Sequence, residues 1–169
     1  MSNKILIEEA ERKDVPLILS FIKKLAGYEK LSDKVEATEE LLEKYLFGSD
    51  ANARALIGYF DGKPTGFAVY FYNFSTFLGK KGIYLEDIFI LPEMRGRGFG
   101  RAFIKHIAEI AVKENCGRFE WSVLDWNEPS RKFYESLGAR PMNEWIIYRL
   151  EGKEILKLAQ NHEGDNFEN

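Results

Sequence analysis

The dipeptide Asp61-Gly62 stands between two long apolar runs, "RALIGYF" and "GFAVYFYNF". Asp-Gly accepts positive φ at both central positions of a two-residue turn, so the flanking runs are predicted to fold back as an antiparallel hairpin. A third run, "GIYLEDIFI", ends at Pro92 and leads through a glycine- and arginine-rich stretch into a helical pattern of Phe103, Ile104, Ile107, Ala108 and Ala111. A fourth run, "RFEWSVLDW", follows that helix. A hairpin joined to a strand–helix–strand crossover predicts an α/β (α+β) fold with a mixed, mostly antiparallel central sheet and helices on both faces.

The remaining elements fit around this centre. "KILIEE" reads as a short first strand. Asp14 then caps a helix with Pro16 in its first turn, in which Leu17, Ile18, Phe21, Ile22 and Leu25 recur at helical spacing up to Gly27. A second helix follows Thr38, with Leu41, Leu42, Tyr45 and Leu46 on one side. Asn127 caps a short helix with Pro129 near its start and Gly138 at its end, and "EWIIYRL" is expected to close the sheet. No repeat or Pro/Gly/Ser linker divides the chain, so residues 1–160 read as one domain, with 161–169 a flexible polar tail.

Composition removes several function classes. A chain of 169 residues with 45% hydrophobic and 30% charged residues has ordinary globular composition. The net charge of −3 argues against a phosphate backbone as the main ligand and suits a cationic one, so no nucleic-acid partner is expected. No signal-peptide pattern or membrane-length apolar run is present, which predicts a cytoplasmic location without a membrane partner. Cys116 is the only cysteine, and with two separated histidines it offers no metal-ligand spacing, so no metal is expected.

The stretch "ILPEMRGRGFGR" carries the strongest chemical signal. A strand, a glycine-rich turn and a helix start leave backbone N–H groups pointing one way, with the positive helix end behind them. Gly96, Gly98 and Gly100 let backbone approach a diphosphate, while Arg95, Arg97 and Arg101 add cationic donors. Neither the P-loop nor the Rossmann fingerprint is present. Just upstream, Glu86 and Asp87 interrupt the apolar rows of "IYLEDIFI". Simple alternation places Glu86 in phase with Tyr84, Ile88 and Ile90, and Asp87 on the opposite face with Leu85 and Phe89. A carboxylate in such a strand is costly unless it is paired or used, which marks the position as functional.

Arg95-x-x-Gly98-x-Gly100 after "LEDIFILPE", together with "LDWNEPSRKFYESLGA" further on, resembles the acetyl-CoA signature and later segment of the Gcn5-related N-acetyltransferases (GNAT). The similarity runs from "IEEAERKDVPLILSFIKKLAGYEK" to "VLDWNEPSRKFY" and resembles the diamine branch, the spermidine/spermine and thialysine N-acetyltransferases. "VLDWN" and "LEGKEILKLA" lean towards the thialysine-like members, and the bare "DGK" turn differs from the longer insertion of the mammalian polyamine enzymes.

The resemblance implies a GNAT-like fold and roles for matching positions. Backbone of Ile88, Phe89 and Ile90 is expected to bind the pantetheine arm and acetyl carbonyl of acetyl-CoA. The turn of Arg95, Gly96, Arg97, Gly98, Phe99, Gly100 and Arg101 is expected to bind its pyrophosphate, with Asn127 and Ser130 nearby. Tyr134 matches the general acid beside the thioester sulfur. Tyr28, Glu29 and Glu86 match acceptor-site positions, bordered by Glu120, Trp121 and Ser122, and a homodimer is implied.

Acetyl transfer to an alkylammonium of pKa near ~10.4 also needs a proton acceptor, for which Glu86 is the candidate. A strand N–H at Ile88 or Phe89 is the candidate oxyanion donor. The expected activity is therefore direct acetyl transfer from acetyl-CoA to a primary amine of a small basic acceptor. The alternatives are the same fold acting on a protein or peptide amine, or a CoA-binding regulatory module without turnover.

Overall fold

The computed structural model describes residues 4–160, which fall into two compact units divided between Ser122 and Val123. The expected tail, 161–169, lies outside the described residues.

The first unit holds a five-stranded sheet in the order β1 (Leu6–Glu9), β2 (Ala53–Phe60), β3 (Lys63–Ser75), β4 (Lys80–Ile90) and β5 (Phe119–Trp121). Neighbours are antiparallel except β4 and β5, which run parallel. The hairpin expected at Asp61-Gly62 is present, with φ of 49° and 72° at the two residues, the backbone a two-residue turn requires.

Each sheet face carries one long helix. On one face, α1 (Val15–Glu29) lays Phe21 over Phe67 and Phe89, with ring centroids 5.5 and 6.3 Å apart. Ile18, Leu25, Ala55 and Ile57 complete that core. On the other face, α3 (Phe99–Lys113) buries Phe99, Phe103, Ile104, Ile107 and Ala111, the stripe its spacing predicts. Gly58 makes this packing possible: a Cβ there would stand 2.8 Å from the Phe103 ring and 2.6 Å from Ile5.

Three local expectations are revised. Helix α1 does not stop at Gly27. It runs to Glu29 and is closed by Lys30 in the left-handed region, whose N–H reaches Ala26 and Gly27 carbonyls. The Asp14 carboxylate accepts from the Glu11 N–H at 2.8 Å rather than capping α1 by side chain. The helix after Thr38, α2 (Glu39–Leu42), opens into a π-turn over Glu43–Phe47. The wider turn puts Leu42, Leu46 and Phe47 against the core and leaves Leu41 and Tyr45 each 44% exposed, instead of four residues sharing one side.

The second unit contains α4 (Glu128–Ser136) and α5 (Lys153–Gln160). Asn127 caps α4 as expected, its side-chain oxygen accepting from the Ser130 N–H at 3.3 Å, and Gly138 follows with φ of 90°. The strand expected at "EWIIYRL" is not formed, and Trp145, Ile146, Ile147 and Tyr148 are all at least 70% exposed. A strand is stable only with a partner ladder, and among the described residues this run has none.

Candidate active site

Strand β4 does not keep its two-residue rhythm. Tyr70 pairs with Leu85 and Val69 with Asp87, so one step on β3 meets two on β4 and Glu86 is the extra residue of a β-bulge. The bulge reverses the phase beyond it. Asp87 joins the face of Tyr84, Phe71 and Phe89, where α1 packs, while Leu85 and Ile88 share the face of α3. The opposite-face placement expected for the two carboxylates therefore fails, because alternation counts residues and the bulge inserts one without a partner. Glu86 and Asp87 stand together opposite Val69.

The electrostatics follow from that placement. Burial, with the charges of Glu86 and Glu29 acting in the same direction, raises the Asp87 carboxyl from its ordinary 3.8 to about 7. Burial also raises Glu29 at the end of α1. Three carboxyls converging at a helix C-terminus, itself a negative dipole end, make a local well for a cation. Tyr28, on the same helix turn, is 37% exposed. Because α1 extends past Gly27, Tyr28 and Glu29 sit on rigid helix instead of in a loop.

The β5 side of this face is less uniform than the sequence suggested. Ser122 lies 2.6 Å from Tyr84 hydroxyl to hydroxyl, on the Asp87 face. Glu120 is on that face too, but its carboxylate is already engaged by Arg118 at 2.8 Å and by the Asn73 amide at 2.9 Å. Trp121 lies on the opposite face, paired with Leu85 and packed on Phe119 at 4.9 Å between ring centroids. Sequence reasoning passed over Asp87 as a member of this cluster, and Tyr84 and Asn73 as well. The signal was the Glu-Asp pair, misassigned to two faces.

Beyond Leu85 the β4–β5 ladder ends, so along Glu86–Ile90 the backbone groups that alternate away from β3 have no strand partner among the described residues. This includes the Ile88, Phe89 and Ile90 segment. A 3₁₀ turn, Pro92–Met94, then carries the chain into the glycine-rich turn. Gly96 and Gly98 have φ of 75° and 81°, and a Cβ on either would meet nothing within 4 Å, so backbone conformation and an open outer surface require glycine here, not crowding. Gly98 caps α3 without a side chain. The N–H groups of Phe99, Gly100 and Arg101 have no intrahelical acceptor, whereas the Ala102 N–H bonds to Gly98 O at 3.0 Å. An open cradle of N–H donors at the positive end of a long helix fits a diphosphate.

The arginines of the turn differ in placement. Arg101 is exposed. Arg97 lies over the Phe60 ring at 5.7 Å. Arg95 folds back: its Nε donates to Ile90 O at 3.0 Å and its guanidinium lies 4.5 Å from the Tyr28 ring centroid and 5.6 Å from that of Phe89.

In the second unit, Tyr134 is half-buried on α4 beside Phe133, with ring centroids 5.3 Å apart, one helical turn beyond Ser130. Asn127, which caps α4, is buried. Among the described residues no group of three or more His, Cys, Asp or Glu is placed to hold a metal ion, and no helix is long and apolar enough to cross a membrane.

Comparison with known proteins bears on the family and the fold. The acetyltransferase (GNAT) family model matches residues 21–139. The chain is 40% identical over 166 residues to thialysine N-epsilon-acetyltransferase of Sus scrofa, covering 92% of this chain and 97% of that protein. It is 38% identical to the Bos taurus protein of the same name, with the same coverage. Among solved structures, an integron cassette protein from the mobile metagenome of V. cholerae superposes with a TM-score of 0.77 at 31% identity, over 92% of this chain and 98% of that one.

Proposed function

The chain belongs to the GNAT acetyltransferase family, and from that premise we propose that it transfers acetyl from acetyl-CoA directly to a primary amine of a small basic acceptor, a diamine, polyamine or lysine-like amine. The observation that carries the acceptor reading is the bulge at Glu86, which gathers Glu86, Asp87 and Glu29 on the α1 face of the sheet. An acyl donor alone needs no such cluster; an ammonium does. Relatives named for thialysine support a lysine-like acceptor over a polyamine.

Bound acetyl-CoA supplies the acetyl group as an activated thioester. The chain's residues then divide the work. The N–H groups of the Gly96–Arg101 turn grip the diphosphate, with Arg97 and Arg101 adding charge. Unladdered β4 backbone at Ile88–Ile90 orients the pantetheine arm and directs an N–H at the acetyl oxygen, and Asn127 and Ser130 contribute at the start of α4. The carboxyl cluster and Tyr28 hold the ammonium. Its proton passes to the Glu86–Asp87 pair, where Asp87, with a pKa of about 7, is matched to taking a proton near neutrality. Ser122 hydrogen-bonded to Tyr84 lines the same face, while Glu120, tied to Arg118, positions instead of binding. Tyr134 donates a proton to the departing thiolate.

The matched family region spans both units, which supports one acetyltransferase domain over residues 1–160. The exposed apolar run at Trp145–Tyr148 supports a homodimer, and the sequence pattern supports a cytoplasmic location. The test is release of free thiol from acetyl-CoA with spermidine, spermine, putrescine, lysine, thialysine and a lysine-containing peptide. Turnover of a small amine is expected, with Tyr134→Phe lowering kcat by about 10²-fold or more at unchanged CoA affinity. Turnover of the peptide alone, or CoA binding without turnover, would overturn the reading.

A further inference from the structure

Arg95 opens the turn that receives the diphosphate, yet its side chain points away from the glycines that form the cradle. Three contacts hold it: the hydrogen bond to Ile90 O at 3.0 Å, the Tyr28 ring at 4.5 Å and the Phe89 ring at 5.6 Å. These partners lie on the last turn of α1 and the end of β4, on the acceptor side of the sheet. We propose that Arg95 is a positioning residue for the acceptor amine: it seats Tyr28 against the end of β4 and so joins the cofactor turn to the acceptor pocket, instead of binding phosphate. The inference rests on the acceptor reading of Tyr28 given above.

The chemistry of the guanidinium suits this role. Its plane stacks on aromatic faces while Nε remains free to donate sideways, an arrangement an ammonium cannot reproduce. Arg95 follows a 3₁₀ turn and precedes Gly96 at φ of 75°, so its backbone moves with the cradle. Seating of the turn by a diphosphate therefore fixes the guanidinium, and the guanidinium fixes Tyr28. Arg97 and Arg101 are left to supply cationic charge to the diphosphate.

Arg95→Lys keeps the charge and loses the stacked plane. Calorimetry with CoA at two ionic strengths, and steady-state kinetics with thialysine or with whichever amine of the panel the wild-type protein turns over, separate the two roles. Arg95→Lys is expected to leave the CoA dissociation constant and its salt dependence within about twofold, while the amine KM rises about tenfold, the combined weight of one cation–π contact and one hydrogen bond. Tyr28→Leu should match Arg95→Lys, and the double variant should be no worse than either single one. Arg97→Ala should instead weaken CoA and flatten its salt dependence. A tenfold loss of CoA affinity in Arg95→Lys, or additive effects of Arg95→Lys and Tyr28→Leu, would overturn the proposal. If the wild-type protein acetylates no amine, the acceptor reading fails, but the CoA titrations still decide whether Arg95 is a phosphate ligand.

Discussion

Asp87 shows how much one side chain's surroundings decide. Its carboxyl is raised because burial removes water and because Glu86 and Glu29 add negative charge. A carboxyl that holds its proton more tightly folded than unfolded costs stability once it ionises. The protein is therefore expected to lose stability as pH rises from about 4 to about 7, with an upper bound of about 4 kcal/mol, and to change little beyond that from this group. Asp87→Asn should remove that slope and raise the denaturant midpoint at pH 8 relative to wild type, while acetyl transfer falls and the rising limb of kcat/KM near pH 7 disappears. Equal pH slopes of unfolding for the two proteins would show that Asp87 does not carry the shift. The Glu86–Asp87 pair was legible in the sequence as a break in an apolar strand, with Glu86 the candidate proton acceptor. The face of Asp87 was not, because face depends on register with β3, and register is a long-range property.

At the scale of elements, the turn into α3 was the most readable part of the chain. Strand, glycines and helix follow in order, and the cradle forms where the pattern places it. The reason is local: positive φ at Gly96 and Gly98 and the missing side-chain cap are properties of those residues alone. Gly98→Ala fills open space but forces a Cβ into the left-handed region at a cost of roughly 1–2 kcal/mol. It should weaken CoA by about tenfold or more in calorimetry while β-sheet content stays unchanged in far-ultraviolet circular dichroism. The π-turn after α2 and the extension of α1 to Glu29 were not readable. Both follow from what the helix packs against: Leu42, Leu46 and Phe47 reach the core only if the turn widens.

For the molecule as a whole, the exposed run Trp145–Tyr148 is the feature that most needs a second surface. Contiguous apolar exposure of this kind marks an interaction site, and the proposed homodimer would cover it. Light scattering should give the mass of a dimer, and Ile147→Asp should shift it to a monomer; an unchanged monomeric mass in the wild-type protein would remove this role. Hairpin, cradle, the Thr38 and Asn127 caps and family signature were all determined by sequence alone, since each depends on residues close together in the chain and on torsional preferences those residues carry with them. The carboxyl cluster, the return of Arg95 onto Tyr28 and the unpaired "EWIIYRL" run were decided only by tertiary structure. Each depends on which strand pairs with which, and at what register, and side chains a few residues apart cannot encode that.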